Sequence, residues 1–167
     1  MQEPRAESVR LHPWEREDLL LLRRMNSPAM WAHLGEPEDE NQVLARHYRY
    51  LESVRGETRM FTIRVGGEKA GNIGYWIRPL GDAAVLETGW MVLPEFQGRG
   101  IATEAALRLI AVLREDVGSG VVHAYPSVSH PASNAVCRKA GFTRLGPVEL
   151  EFPAGRLMWV NDWIHPL

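Results

Sequence analysis

The run Leu93-Pro94-Glu95-Phe96-Gln97-Gly98-Arg99-Gly100-Ile101-Ala102-Thr103 decides the fold of this chain. It predicts a strand that enters a glycine loop and then a helix. The first N–H groups of a helix have no partner inside it, and the helix dipole adds partial positive charge there. Such a terminus can hold phosphate. Gly98 and Gly100 can take the left-handed conformation and let main chain approach an anion closely, and Arg99 adds a cation. The loop matches neither G-x-x-x-x-G-K-[ST] nor G-x-G-x-x-G, so the two common nucleotide readings fail. By itself, a glycine pair at a strand–helix junction also reads as a plain turn.

Downstream, Ile101 to Asp116 is an amphipathic helix carrying Ile101, Ala105, Leu109, Val112 and Leu113 on one side. Val121 to Pro126 reads as a short strand. Ser133 to Ala140 reads as a helix that Ser133 caps and Gly141 closes. Phe142 to Phe152 and Leu157 to Ile164 form a last strand pair around Pro153-Ala154-Gly155. Upstream, Ala83 to Leu93, Ala70 to Ile77 and Met60 to Val65 are strands, with Gly66-Gly67 and Pro79-Leu80-Gly81-Asp82 as their turns. Ser8 to His12 is a first strand that Pro13 ends. Glu15 to Arg24 is helical, Pro28 to Leu34 reads as the start of a short helix, and Asn41 to Val54 is helical. This order predicts an α+β domain around a single mixed, mostly antiparallel sheet flanked by helices, spanning 1–167 as one domain.

Composition narrows the function classes. Apolar residues at 45% and charged residues at 24% exclude a disordered chain. A net charge of −2 excludes a dedicated nucleic-acid binder, which needs a basic surplus. Cys137 is the only cysteine, so neither an internal disulfide nor a cysteine zinc cluster can form. His123, His130 and Cys137 match no zinc spacing, and no acidic residue lies between Val117 and Val148, so no metal is expected. Met1 to Arg10 does not read as a signal peptide, and the longest aliphatic stretch, Leu109 to Leu113, falls far short of the ~20 residues of a membrane span. A cytoplasmic protein without membrane or nucleic-acid partners is the expectation.

Four pieces of the chain, in order, resemble the GNAT superfamily of N-acetyltransferases. Gln97-x-x-Gly100-x-Ala102 is similar to its Q/R-x-x-G-x-G/A pyrophosphate loop. Gly98 to Ala105 resembles the branch typified by ribosomal-protein N-terminal acetyltransferases. Leu86-Glu87-Thr88-Gly89-Trp90-Met91 is similar to the family's A-E-L-G-W strand. His130 to Phe142 resembles its N-x-x-S-x-x-V-x-x-K-x-G-F segment, with His130 in place of the asparagine. Val9 to Trp14 with Asp18 resembles its first strand and helix.

The resemblance implies acetyl-coenzyme A as donor and a primary amine as acceptor: a protein N-terminus, an antibiotic or a small metabolite. Gln97, Gly98, Arg99, Gly100, Ile101, Ala102 and Thr103 would wrap the pyrophosphate. The strand ending Trp90-Met91-Val92 would splay from Val121 to Pro126. The pantetheine arm would lie in that gap, bonded to main chain at Met91 and Val92, and one of those N–H groups would stabilise the oxyanion. His130, Ser133 and Asn134 would face the donor, although Ser133 also reads as a cap, and His130 and Asn134 as solvent-facing. Glu87 would be the general base. The family's usual acid, a tyrosine, falls at Cys137, and Tyr125 on the adjacent strand is the alternative donor. Trp31 would shape the acceptor pocket or simply pack. Glu36, Glu38, Asp39 and Glu40 would favour a cationic amine.

A second reading from another class is an acyl-coenzyme A sensor or interaction module without turnover, for which the missing tyrosine speaks. Leu157 to Ile164 can pair across a homodimer or complete its own sheet.

Overall fold

Gly66, Gly67, Gly81 and Gly155 turn the chain between successive strands, and the computed structural model describes residues 8–167. In chain order the elements are β1 (Val9–Pro13), α1 (Leu19–Met25), α2 (Glu40–Leu51), β2 (Arg59–Val65), β3 (Glu68–Leu80), β4 (Ala83–Val92), α3 (Ile101–Asp116), β5 (Val121–Ala124), α4 (Pro131–Lys139), β6 (Thr143–Glu151) and β7 (Leu157–Pro166). Single 3-10 turns at Arg16–Asp18 and Pro94–Phe96 lead into α1 and into the glycine loop. The seven strands form one sheet in the order β1-β2-β3-β4-β5-β7-β6. Every neighbour is antiparallel except β4 with β5. This is the mixed, mostly antiparallel sheet that the sequence predicted. No helix among the described residues is long and apolar enough to cross a membrane.

The core forms where the helical stripe meets the sheet. Ile101, Ala105, Ala106, Leu109, Ile110 and Leu113 of α3 are buried with Ile63, Ile73, Tyr75 and Val122 of the strands. Each fully buried aliphatic side chain of this kind contributes roughly 1.5–3 kcal/mol. Two buried carboxylates tie the helices to the sheet. Asp18 accepts from the Glu15 N–H at 2.8 Å and from Thr62 Oγ1 at 2.7 Å, and pairs with Lys69 Nζ at 2.6 Å. Asp116, at the negative end of α3, is offset by Arg55 at 2.8 Å, Arg59 at 2.9 Å and the Tyr75 hydroxyl at 2.6 Å.

Two sequence expectations give way. Pro28 to Leu34 is a run of turns, not a helix. The Trp31 N–H reaches Ser27 C=O at 3.0 Å, but Gly35 then takes φ +115° and the turn does not propagate. Proline at the start and a left-handed glycine at the end leave too few residues for a helical nucleus. The last helix starts at Pro131 and is capped by His130, whose Nδ1 accepts the Ser133 N–H at 3.4 Å. Ser133 therefore sits within the first turn and is not the cap. Gly141, at φ +89°, ends the helix as expected.

The parallel join positions the site. β4 and β5 pair only through Leu86–Val122, Glu87–His123 and Thr88–Ala124. β4 runs on to Val92 while β5 stops at Ala124, so the two strands part and leave a wedge open in the sheet.

Candidate active site

The wedge opens into a cavity of about 630 Å³ lined by β4 residues Glu87 to Val92, by Ala124 to Ser127, and by the glycine loop. Main-chain direction alternates along β4. The Leu93 N–H donates to Ala70 C=O at 2.8 Å, so Leu93 faces β3. Met91 faces the same way, and a Cβ on Gly71 would lie 2.0 Å from the Met91 carbonyl oxygen. Trp90 and Val92 therefore turn their polar main chain toward the wedge. This corrects the expectation for Met91: its side chain lines the cavity, but its main chain belongs to the β3 ladder. The main chain of Trp90 faces the wedge instead, which the sequence alone did not indicate. Only the pairing of Leu93 with Ala70 fixes which half of the alternation faces the gap.

Gln97 closes the end of β4. Its Nε2 donates to Val92 C=O at 2.9 Å, which ties the loop back to the strand. Gly98 and Gly100 both take φ +73°, and a Cβ on either would meet nothing within 4 Å. The turn is shaped by backbone, and its surface is open. The first bond of α3 runs from the Glu104 N–H to Gly100 C=O at 3.1 Å. The N–H groups of Ile101, Ala102 and Thr103 precede it and have no acceptor among the described residues. Gly98, Gly100, Ile101, Ala102 and Thr103 all line the cavity. Open φ-positive glycines beside unpaired helix-start amides fit a diphosphate. The Arg99 guanidinium lies 5.3 Å over the Phe96 ring, and Arg99 is not among the cavity-lining residues.

Glu87 is buried at the wall of the wedge. Arg78 grips it through Nε, and through Nη2 at 3.1 Å, and Trp76 Nε1 donates at 3.0 Å. Gly89 makes room for that indole, since a Cβ there would come within 2.9 Å of Trp76. The Glu87 hydrogen bond and charge hold the Arg78 guanidinium further up than usual against the effect of burial.

Tyr125 lines the cavity beside Glu87. Burial, then the charges of Asp162 and Glu87, push its phenol up to about 12. Cys137 is fully buried in the core and away from the cavity. Burial pushes its thiol up to about 12. A thiol without access to the reacting atoms cannot protonate a leaving group there, which removes Cys137 as the acid.

The rest of the expected donor face divides. His130 and Ser133 line the cavity. The His130 ring stacks on His33 with centroids 4.1 Å apart, clasping the turns after α1 to the start of α4. Burial and the neighbouring His33 lower its pKa. Asn134 does not line the cavity. Its Nδ2 donates to Ser127 C=O at 2.9 Å and His130 C=O at 2.8 Å, and its Oδ1 accepts from Asn161 and Trp163. An amide has two donors and one carbonyl oxygen, and all are occupied, so Asn134 is a structural bolt rather than a donor contact. Trp31 is also off the cavity wall, buried behind the Arg46 guanidinium at 5.6 Å. Arg46 lines the cavity in its place. The acidic stretch is internally committed: Glu38 pairs with Arg46, Glu40 with Arg23, and Asp39 caps α2. Glu36 is exposed and none of the four lines the cavity.

Known proteins share this fold. The model of an acetyltransferase (GNAT) domain matches residues 8–143. A spermidine N(1)-acetyltransferase of Escherichia coli strain K12 is 31% identical over 157 residues, covering 89% of this chain and 80% of that protein. Among solved structures, an acetyl transferase from Salmonella typhimurium that modifies the N-terminal serine of ribosomal protein L7/L12 superposes with a TM-score of 0.76 at 23% identity, covering 96% and 95% of the two chains. A spermidine N-acetyltransferase from Vibrio cholerae in complex with coenzyme A and spermine gives 0.75 at 20%, covering 95% of each chain. An aminoglycoside acetyltransferase AAC(6')-Ib in complex with coenzyme A gives 0.75 at 21%, covering 95% and 94%. The chain belongs to the GNAT acetyltransferase family and is an N-acetyltransferase that takes its acetyl group from acetyl-coenzyme A.

Proposed function

We propose that this enzyme acetylates the single amine of a largely apolar acceptor, such as an aromatic or alkyl amine or the N-terminus of an apolar peptide. The observation behind this reading is the charge of the cavity wall. Glu87 is the one carboxylate among its lining residues, and Arg78 holds both of its oxygens. Met60, Trp76, Leu150, Phe152 and Met158 supply the apolar wall. A polycation brought here would shed water around several charges and meet no unpaired carboxylate in return.

Acetyl-coenzyme A, when bound, supplies an activated thioester. In our reading, the amides of Gly98, Gly100, Ile101, Ala102 and Thr103 hold its diphosphate, with the Arg99 charge nearby. Main chain at Trp90 and Val92 holds the pantetheine arm as an added strand, with Met91, His130 and Ser133 as wall contacts. A free N–H there meets the charge that develops on the carbonyl oxygen. Glu87 accepts hydrogen bonds at three of the about four sites of a carboxylate. The remaining site, on Oε1, takes the proton of the incoming amine directly or through one water. Tyr125 gives its proton to the departing sulfur.

The spermidine acetyltransferase relative favours a second reading, a polyamine acceptor. Steady-state kinetics with phenethylamine, butylamine and spermidine separates the two. The charge argument expects an apolar monoamine to exceed spermidine in kcat/KM by about tenfold or more, equal to about 1.4 kcal/mol. A preference for spermidine would overturn the proposed acceptor class.

A further inference from the structure

Nδ1 of His123 sits between two oxygens, Asp162 Oδ1 at 2.8 Å and the Tyr125 hydroxyl at 3.1 Å. The sheet register brings these groups together. Glu87 on β4 is beside His123 on β5, and His123 is beside Ile164 on β7. Asp162 precedes Ile164 by two residues and so shares its face. Tyr125 follows His123 by two residues, and its ring stacks on the imidazole with centroids 5.5 Å apart and planes at 19°. Of the three, only Tyr125 lines the cavity.

The tautomer follows from the partners. A carboxylate accepts and cannot donate, so the nitrogen facing Asp162 carries the hydrogen. A bare Nδ1 would set two lone pairs against each other at 2.8 Å. The Tyr125 oxygen faces the same N–H and accepts from it as a second partner. Its own O–H is then free to turn elsewhere, and no other acceptor for it is present among the described residues.

We infer that Asp162 and His123 are positioning residues that turn the Tyr125 proton toward the departing sulfur. This rests on the reading of Tyr125 as the proton donor. As the carbon–sulfur bond breaks and its electron pair goes to sulfur, Tyr125 transfers its proton and an S–H bond forms. The negative charge ends on the phenolic oxygen, where the His123 N–H is already aimed. The proton that Glu87 takes from the amine returns through water and restores the phenol, so no further reactant is needed. Burial and the facing charges of Asp162 and Glu87, opposed by Arg78, keep the phenol protonated at neutral pH.

The test is a double-mutant cycle read in kcat, with KM for acetyl-coenzyme A followed in parallel. Asp162→Asn and His123→Phe, which keeps the ring stack, should each lower kcat by about tenfold or more and leave that KM unchanged. In a Tyr125→Phe background neither should lower kcat further. Asp162→Glu should recover part of the loss. Coenzyme A thermal shift verifies that each protein is folded, and the two single variants report independently. Wild-type kcat in either folded variant beside a slow Tyr125→Phe would overturn the positioning role alone, as would additive losses. An undiminished Tyr125→Phe would overturn the proton-donor reading beneath it.

Discussion

Asn134 accepts the indole N–H of Trp163 at 2.9 Å and the side-chain amide of Asn161 at 2.8 Å, bolting the start of α4 to β7. Truncating it leaves buried donors and two main-chain carbonyls without their partner. Each such loss costs about 1–3 kcal/mol. Asn134→Ala should therefore lower the urea midpoint markedly while KM for acetyl-coenzyme A stays at its wild-type value. A raised KM with unchanged stability would return Asn134 to the donor site.

Cys137 lies in the core with its thiol pushed up to about 12 by burial. Cys137→Ala should leave kcat unchanged and cost about 1 kcal/mol of stability. The native protein should resist thiol reagents until it is unfolded. Loss of kcat in a folded Cys137→Ala protein would contradict this assignment.

Glu87 is expected to act in the reaction rather than in donor binding. Glu87→Gln keeps shape but removes the charge that receives the amine proton. It should lower kcat/KM for the amine by about 10²–10⁴-fold. Coenzyme A affinity, measured by calorimetry, should change little. Full activity in the glutamine variant would leave proximity alone as the source of catalysis.

Gly100 holds φ +73° at the start of α3, in open space. A side chain there meets no neighbour but must adopt a strained backbone, at about 1–2 kcal/mol. Gly100→Val should lower Tm modestly and raise KM for acetyl-coenzyme A far more than it changes kcat. Unchanged KM would mean that the glycine serves only the turn.

Asp116 gives the protein an acid limit. Burial alone would raise its pKa, but hydrogen bonds from Tyr75 and Arg59 and the charges of Arg59 and Arg55 hold it below the usual value of 3.8. The unfolded chain therefore binds this proton at higher pH than the folded one. The resulting stability is full above about pH 4 and is lost as pH falls through the folded value. Asp18, lowered by Lys69, Glu15 and Thr62 against the effect of burial, adds to the same limb. Urea midpoints from pH 7 to 2 should fall below pH 4, and Asp116→Asn should flatten that fall while lowering stability at pH 7.

How much of this the sequence carried depends on whether the signal was local. Ile101 to Asp116 was legible to the residue because an apolar stripe, a preceding glycine and a following break all agree. The glycine loop was legible because positive φ demands glycine at Gly98 and Gly100. The turns at Pro28 to Leu34 were not, since Trp31 and Leu34 have helical spacing but only tertiary packing decides so short a segment. The choice of Trp90 over Met91 depended on a hydrogen bond from Leu93 to Ala70, more than twenty positions away. Asn134, Asn161 and Trp163, like Tyr125, His123 and Asp162, meet only once β5 lies beside β7. No local pattern announces a contact between strands nearly forty residues apart, as between His123 and Asp162.

The most direct test follows the backbone amides of Gly98, Gly100, Ile101, Ala102 and Thr103 by ¹H–¹⁵N correlation during titration with coenzyme A. These five signals should move together, saturate with the same affinity found by calorimetry, and move less with a donor analogue that lacks the diphosphate. Saturable binding that leaves all five in place would contradict the account at its centre.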